Sequence, residues 1–313
     1  MSTNDAAAEC PAASPIDVAV IGGNFAGLSA ALYLLRARRR VVLFDDGQHR
    51  NRFSAHSHGY LGQDGMAPDA IKSIGLAQVM AYPTLTVLRD RVDAVAGQSG
   101  EFALTGAFGS VQSRRLILAM GQRDILPDVP GLAECWGKSV VHCPYCHGYE
   151  LADLPTGLML GGMAQGALYL SQVRRWTGVP VILDNGMPLA PEVLAVIEAE
   201  GLEHVSGALT ACHHRDGMLE AISLAGREDL ALRAIYMPLP TEPAAPFAET
   251  LGCAMDEGPM GRFVRVDAMG RTTVAGVYAA GDLASAKPVA ILAAASGASA
   301  GLTCDQDLAG LFG

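Results

Sequence analysis

Two cysteines two residues apart, with a histidine on either side, make up the stretch of this sequence best suited to chemistry: His142-Cys143-Pro144-Tyr145-Cys146-His147-Gly148-Tyr149-Glu150. A Cys-x-x-Cys pair closes into a disulfide, and cationic or hydrogen-bonding neighbours lower a thiol pKa until the thiolate becomes a nucleophile. His147 and His142 are candidate bases, because imidazole changes charge near neutral pH; Glu150 is a third. The pair reads as a redox centre in need of an electron partner. The competing reading is a metal site. Zinc would require two further ligands, and the other cluster, Cys212-His213-His214, lacks a matching spacing. No metal is expected, and Cys10, Cys135, Cys253 and Cys304 read as plain thiols.

The elements that must position the pair have nucleotide-binding character. Ile16 to Ile21 is an apolar run suited to a buried parallel strand. The turn Gly22-Gly23-Asn24-Phe25-Ala26-Gly27 follows, then Leu28, Ala31, Leu32 and Leu35 at helical spacing, then a second strand, Val41 to Phe44, ending in Asp45 and Asp46. A glycine-rich turn between strand and helix lets backbone N–H groups face a pyrophosphate, and an acid at the second strand end can accept from ribose hydroxyls. Asn24 occupies the usual second glycine. Arg115 to Gly121 reads as a strand ending in small residues, and Thr272 to Asp282 as a turn, a strand and Gly281-Asp282. Leu158-Met159-Leu160, the turn Gly161 to Gly166, a helix over 167–176 and a strand over 179–183 ending in Asp184 form a second such unit. Proline-rich links near Asp124 and Pro240 set boundaries: 16–123 and 241–313 form one interrupted domain, 124–240 an insert, and 1–15 a disordered start.

The chain has 313 residues, of which half are hydrophobic and 17% charged, so a large core is available. A net charge of -10 argues against nucleic acid as a partner. The basic run Arg36 to Arg40 reads as the polar end of a helix. Val289 to Leu302, the longest apolar stretch, is broken by Ser and Gly and too short for a bilayer, and no secretory signal precedes the first strand. A cytoplasmic protein without membrane partners is the expectation.

The segment from Thr273 to Asp282 resembles the run that sets an aspartate against the flavin ribityl chain in pyridine-nucleotide disulfide oxidoreductases. An interrupted flavin half with a Cys-x-x-Cys at the start of the insert resembles the low-molecular-weight thioredoxin reductases within that family. There the residue after the second cysteine is an acid, and here it is His147. Met163 stands at the central glycine of the second turn, and Leu183-Asp184-Asn185-Gly186 replaces the basic run that holds the NADPH 2′-phosphate, which puts NAD(P)H in doubt. Cys143-Pro144-Tyr145-Cys146-His147-Gly148-Tyr149-Glu150, Gly22 to Leu28 and Asp45 to Arg52 are similar to the thioredoxin-reductase-like dithiol oxidases that close disulfides in gliotoxin, holomycin and romidepsin-type natural products.

The resemblance implies an α/β fold of two Rossmann-like domains, a homodimer, and FAD as cofactor. It places the pyrophosphate on Gly22, Gly23, Asn24, Phe25, Ala26 and Gly27, and the adenosine side on Asp45, Asp46, Gly47, Gln48, His49 and Arg50. Ala119 and Gly121 form the small-residue turn, Asp282 meets the ribityl chain, Val289 and Ala290 open the final helix facing the pyrimidine, and His58 is a flavin neighbour. It implies that Cys143 exchanges with a small-molecule dithiol, that Cys146 lies next to the flavin, and that O2 reoxidises the flavin to give H2O2. Two alternatives stay open: an NAD(P)H-dependent disulfide reductase, and a flavoprotein with a sensing or assembly role.

Overall fold

The computed structural model describes residues 16–311; the expectation for 1–15 lies outside the described residues. In chain order the strands and helices are β1 (Ile16–Ile21), α1 (Phe25–Arg36), β2 (Val41–Phe44), α2 (Pro68–Met80), β3 (Leu85–Leu88), β4 (Ala94–Gln98), β5 (Glu101–Gly106), β6 (Gly109–Leu118), β7 (Gln122–Asp124), α3 (Leu132–Cys135), β8 (Val140–Val141), α4 (Pro144–His147), β9 (Thr156–Met159), α5 (Gly166–Thr177), β10 (Val181–Leu183), α6 (Pro191–Glu200), β11 (His204–Val205), β12 (Leu209–Arg215), β13 (Met218–Leu224), β14 (Ala234–Tyr236), β15 (Thr241–Pro243), α7 (Phe247–Thr250), β16 (Met255–Glu257), β17 (Arg262–Val264), β18 (Val277–Ala279) and α8 (Ala290–Leu308). The chain divides into two compact units. The first comprises 16–52, 69–123 and 241–311, and the second 53–68 and 124–240. The sequence boundaries put 53–68 within 16–123; in the structure its contacts are with the second unit.

In the first unit β3, β2, β1, β6 and β18 form a parallel sheet in that order. β1 is buried on both faces. Val18 and Val20 join a cluster with Leu28 and Leu34 of α1, while Ala19 and Ile21 join the opposite cluster with Phe44 and Leu118. Burying a leucine such as Leu34, which is 0% exposed, contributes about 1.5–3 kcal/mol. Small residues let α8 lie directly on α1: Gly297 and Gly301 face the backbone of Ala26 and Ala30. The β6 strand starts earlier than the expected Arg115, because its first half pairs antiparallel with β5. There the exposed Ser110 and Gln112 alternate with the buried Val111 and Ser113, as suits a sheet with one wet face.

The second unit holds a five-stranded parallel sheet in the order β11-β10-β9-β14-β8, with Tyr236 of β14 paired to Val141 of β8. Its core is aliphatic, centred on Leu158, Leu170, Val173 and Ile182. The β12–β13 hairpin turns at Asp216 and Gly217, both at positive φ (55° and 84°), as a two-residue hairpin turn requires. The fold is the expected α/β architecture. In each unit the candidate chemistry lies just past the carboxyl end of a strand, where open α/β sheets bind their ligands: Gly22 follows β1, and His142 follows β8.

Candidate functional site

Cys143 and Cys146 form a disulfide with Cα atoms 5.3 Å apart. Pro144 begins α4, the one-turn helix that joins them; its fixed φ suits a first helical position, where no N–H is needed. The Cys146 N–H donates to Cys143 Sγ at 3.2 Å, and the Gly148 N–H to the Pro144 carbonyl at 2.7 Å. Both cysteines are half-buried. Two aromatic contacts brace the turn. The His142 ring stacks on Trp136, centroids 5.8 Å apart, and Tyr145 meets the edge of Trp176 at 5.1 Å. The His142 carbonyl accepts from the buried Tyr169 hydroxyl at 2.6 Å. Tyr145 and Tyr149 are exposed beside the disulfide.

His147 is the polar group packed into this turn. Its Nε2 lies 3.3 Å from Ser54 Oγ, and its Nδ1 is buried without a hydrogen bond. Burial lowers its pKa, and the nearby Glu150 carboxylate opposes that shift. A neutral imidazole can take a proton from a thiol. His58, expected beside the flavin, stands in the second unit with Nε2 3.3 Å from Glu150 Oε1 and Nδ1 3.6 Å from Asp64 Oδ2. Ser54, Trp136, Tyr169 and Trp176 are neighbours of the redox turn that no spacing in the sequence signalled.

The first unit holds the nucleotide cradle. Gly22 has φ 114°, and a Cβ there would run into the Ala119 carbonyl; a Cβ at Gly27 would strike the Gly22 carbonyl. The turn is thus as tight as a backbone-to-pyrophosphate approach demands. α1 begins at Phe25 and Ala26 without a side-chain cap, and the Asn24 Oδ1 is buried without a hydrogen bond. Gly23 sits on the Asp45 side chain. Asp45 forms an ion pair with Lys72 at 2.9 Å and accepts the Gly47 N–H at 3.1 Å; Asp46 accepts from the Gln48 N–H at 3.0 Å. The His49 ring is buried with neither nitrogen hydrogen-bonded, 3.2 Å from Asp69, and burial followed by Lys72 lowers its pKa. Arg50 Nη1 lies 3.4 Å from Asp282 Oδ2. Ala119 and Gly121 follow β6, Gly121 at φ 71°. Val289 caps α8 without a side-chain bond, and Ala290 is the first helical residue. Uncapped helix starts, orphaned buried polar atoms and a backbone cradle fit a flavin dinucleotide.

The corresponding turn of the second unit is occupied by its own side chains. The Asp184 Oδ1 accepts from the Gly186 N–H at 2.8 Å and the Gly207 N–H at 3.0 Å, and Oδ2 faces His204 Nε2 at 3.1 Å. Burial raises the Asp184 pKa, but the hydrogen bonds from Ser206, Gly207, Gly186 and His204 outweigh it and bring it down to about 2. Met187 lies over Gly162, and Met163 packs against the apolar core. Of the other cluster, Cys212 is buried and His213 is bound to Ser223 at 2.7 Å. Among the described residues no group of three or more His, Cys, Asp or Glu could hold a metal, and no helix is long and apolar enough to cross a membrane.

Residues 16–298 match the family model described as pyridine nucleotide-disulphide oxidoreductase. The chain is 31% identical over 286 residues to thioredoxin reductase tcpT of Claviceps purpurea, covering 85% of this chain and 86% of that one. An oxidoreductase structure from Agrobacterium tumefaciens superposes with TM-score 0.87 at 36% identity, covering 95% of this chain and 99% of the other. The structure of HlmI does so with TM-score 0.86 at 34% identity, covering 95% and 93%.

Proposed function

Because this chain belongs to the pyridine nucleotide-disulphide oxidoreductase family, and is thus an FAD-binding oxidoreductase, we propose that it oxidises a small-molecule dithiol to a disulfide through Cys143 and Cys146. The occupied turn of the second unit carries this reading. An acid at Asp184 would meet a nicotinamide nucleotide through its ribose hydroxyls, but this carboxylate is buried and satisfied by Gly186, His204 and Gly207. Met187 lies over Gly162, in the turn where a pyrophosphate would approach. Electrons therefore enter by the thiol side. FAD, when bound, would supply a two-electron acceptor that O2 could reoxidise to give hydrogen peroxide.

The chain's own residues do the rest. Cys143 and Cys146 supply a disulfide open to attack by a substrate thiolate. His147, whose pKa burial holds down, removes the thiol proton. Cys143 exchanges with substrate, and Cys146 passes the electrons on. The first unit holds FAD on the Gly22–Gly27 turn, on Asp45 to Arg50 and on Asp282, with Ala119, Gly121, Val289 and Ala290 lining it. The working protein is a homodimer. The relative's name, thioredoxin reductase, favours the reverse direction, with NAD(P)H as donor and a disulfide as acceptor. Oxygen uptake separates the two. With dithiothreitol as sole substrate in air, the proposal expects one peroxide per dithiol consumed, and none from Cys143→Ser or Cys146→Ser. Dithiol turnover that persists in those variants would overturn it.

A further inference from the structure

The loop 53–68 brings polar groups to the redox turn from a distant part of the sequence. It is folded on itself: the Ser57 N–H donates to the Met66 carbonyl at 2.8 Å and the Gly65 N–H to the Ser57 carbonyl at 2.9 Å. His56 Nδ1 lies 2.9 Å from the Gly65 carbonyl, and the Gly59 N–H donates to Asp64 Oδ1 at 2.7 Å. Phe53 packs beside Gly137. So braced, the loop sets Ser54 Oγ 3.3 Å from His147 Nε2, and His58 Nε2 3.3 Å from Glu150 Oε1. His147 and Glu150 are three residues apart on one turn, which the Leu151 N–H closes onto the His147 carbonyl at 3.1 Å, so the two side chains lie on one side of it.

We infer that Ser54 and His58 are positioning residues for proton transfer at the Cys143–Cys146 centre. Ser54 holds the His147 ring, and His58, bracketed by Asp64, holds the Glu150 carboxylate beside that ring. The inference rests on the dithiol-oxidase reading above. In that exchange the first substrate thiol gives its proton to His147 as its sulfur bonds to Cys143; the Cys143–Cys146 bond breaks, and Cys146 leaves as a thiolate with the bonding pair. The second substrate thiol loses its proton and displaces Cys143. The product is a disulfide, the pair holds the two electrons, and the protons end on the cysteines or, through His147, in solvent.

The groups that face His147 are Glu150, His58, Ser54 and the carbonyls of Cys143 and Gly137; the buried Tyr236 hydroxyl lies within the field of Glu150. Glu150 favours the charged ring and His58 disfavours it. A base works when neutral, so activity rises with pH through its pKa. Removing Glu150 must therefore move the acid limb of the rate profile to lower pH, and removing His58 must move it to higher pH.

The test is stopped-flow reduction of the bound flavin by dithiothreitol, without air, across pH, in the wild type and in Glu150→Gln, His58→Leu and Ser54→Ala, each checked for flavin content and melting temperature. The expected results are opposite displacements of the limb for the first two, and a rate about three- to tenfold lower for Ser54→Ala, the worth of one hydrogen bond. A merely structural role would lower rates without moving the limb. Limbs that coincide with the wild type, or move in the same direction, overturn the inference while leaving the dithiol-oxidase reading intact. Should the wild-type flavin not be reduced by dithiothreitol at any pH, the reading itself falls and the inference with it. If His58→Leu fails to fold, His58→Gln carries the same comparison.

Discussion

Replacing Asp184 by Asn tests whether this acid serves the fold of the second unit or a nucleotide. The carboxylate titrates at about 2 rather than 3.8, because hydrogen bonds from Ser206, Gly207, Gly186 and His204 outweigh the cost of burial. At about 1.4 kcal/mol per pKa unit, that difference corresponds to about 2.5 kcal/mol of stability at neutral pH. The folded pKa is depressed, so the contribution is fully present above pH 3.8 and fades as pH falls toward 2. Asp184→Asn should therefore lose about 2.5 kcal/mol at pH 7 and approach the wild type in acid. The assay is urea unfolding followed by tryptophan fluorescence. The chain has two tryptophans, Trp136 and Trp176, and both lie in the second unit, so the signal reports that unit. A variant as stable as the wild type at pH 7, or a deficit unchanged down to pH 2, would refute the structural assignment. So would unchanged stability together with a loss of NADH affinity.

Three further outcomes follow from particular contacts. Gly22→Val should give protein purified with little flavin, since the φ of 114° and the Ala119 carbonyl leave no place for a side chain; the ratio of flavin to protein absorbance measures it. Lys72→Met should destabilise the first unit by about 3 kcal/mol, because it leaves the Asp45 carboxylate, 14% exposed, without its cation; thermal melting of the flavin-free protein checks it. Ser139→Ala should cost about 1–3 kcal/mol in urea unfolding, since the buried hydroxyl donates to the Gly217 carbonyl at 2.7 Å and accepts from the Leu219 N–H at 3.0 Å.

Local pattern made much of the fold legible. The strands Ile16–Ile21 and Val41–Phe44 have the expected limits, because a buried parallel strand is an unbroken apolar run cut off by glycine or acid. The helix expected over 167–176 is Gly166–Thr177. The strand expected from 179 begins at Val181 instead, since Pro180 has no N–H to give the ladder. The second unit's sheet order was not legible, since pairing such as Tyr236 with Val141 is long-range.

For the site, the sequence marked the cysteine pair and the Gly22 turn by spacing. The resemblance to the flavoprotein family set His58 beside the flavin. Folding brings the segment 53–68 to Gly137, His147 and Glu150, and no periodicity encodes such a contact. Lys72 was missed for the same reason: on α2 it is one more helical lysine until Asp45 meets it. Asp184 read equally as a solvated strand end or a ribose acceptor, yet it is buried and takes hydrogen bonds from Ser206 and Gly207, beyond a whole helix.

The direction of electron flow is the central claim, and anaerobic reduction of the purified yellow protein tests it most directly. Dithiothreitol, NADH and NADPH are each titrated in while flavin absorbance is followed. Full bleaching by the dithiol, none by either nicotinamide, and peroxide formed when air is readmitted are expected; rapid bleaching by NADH or NADPH, with the dithiol inert, would contradict electron entry from the thiol side.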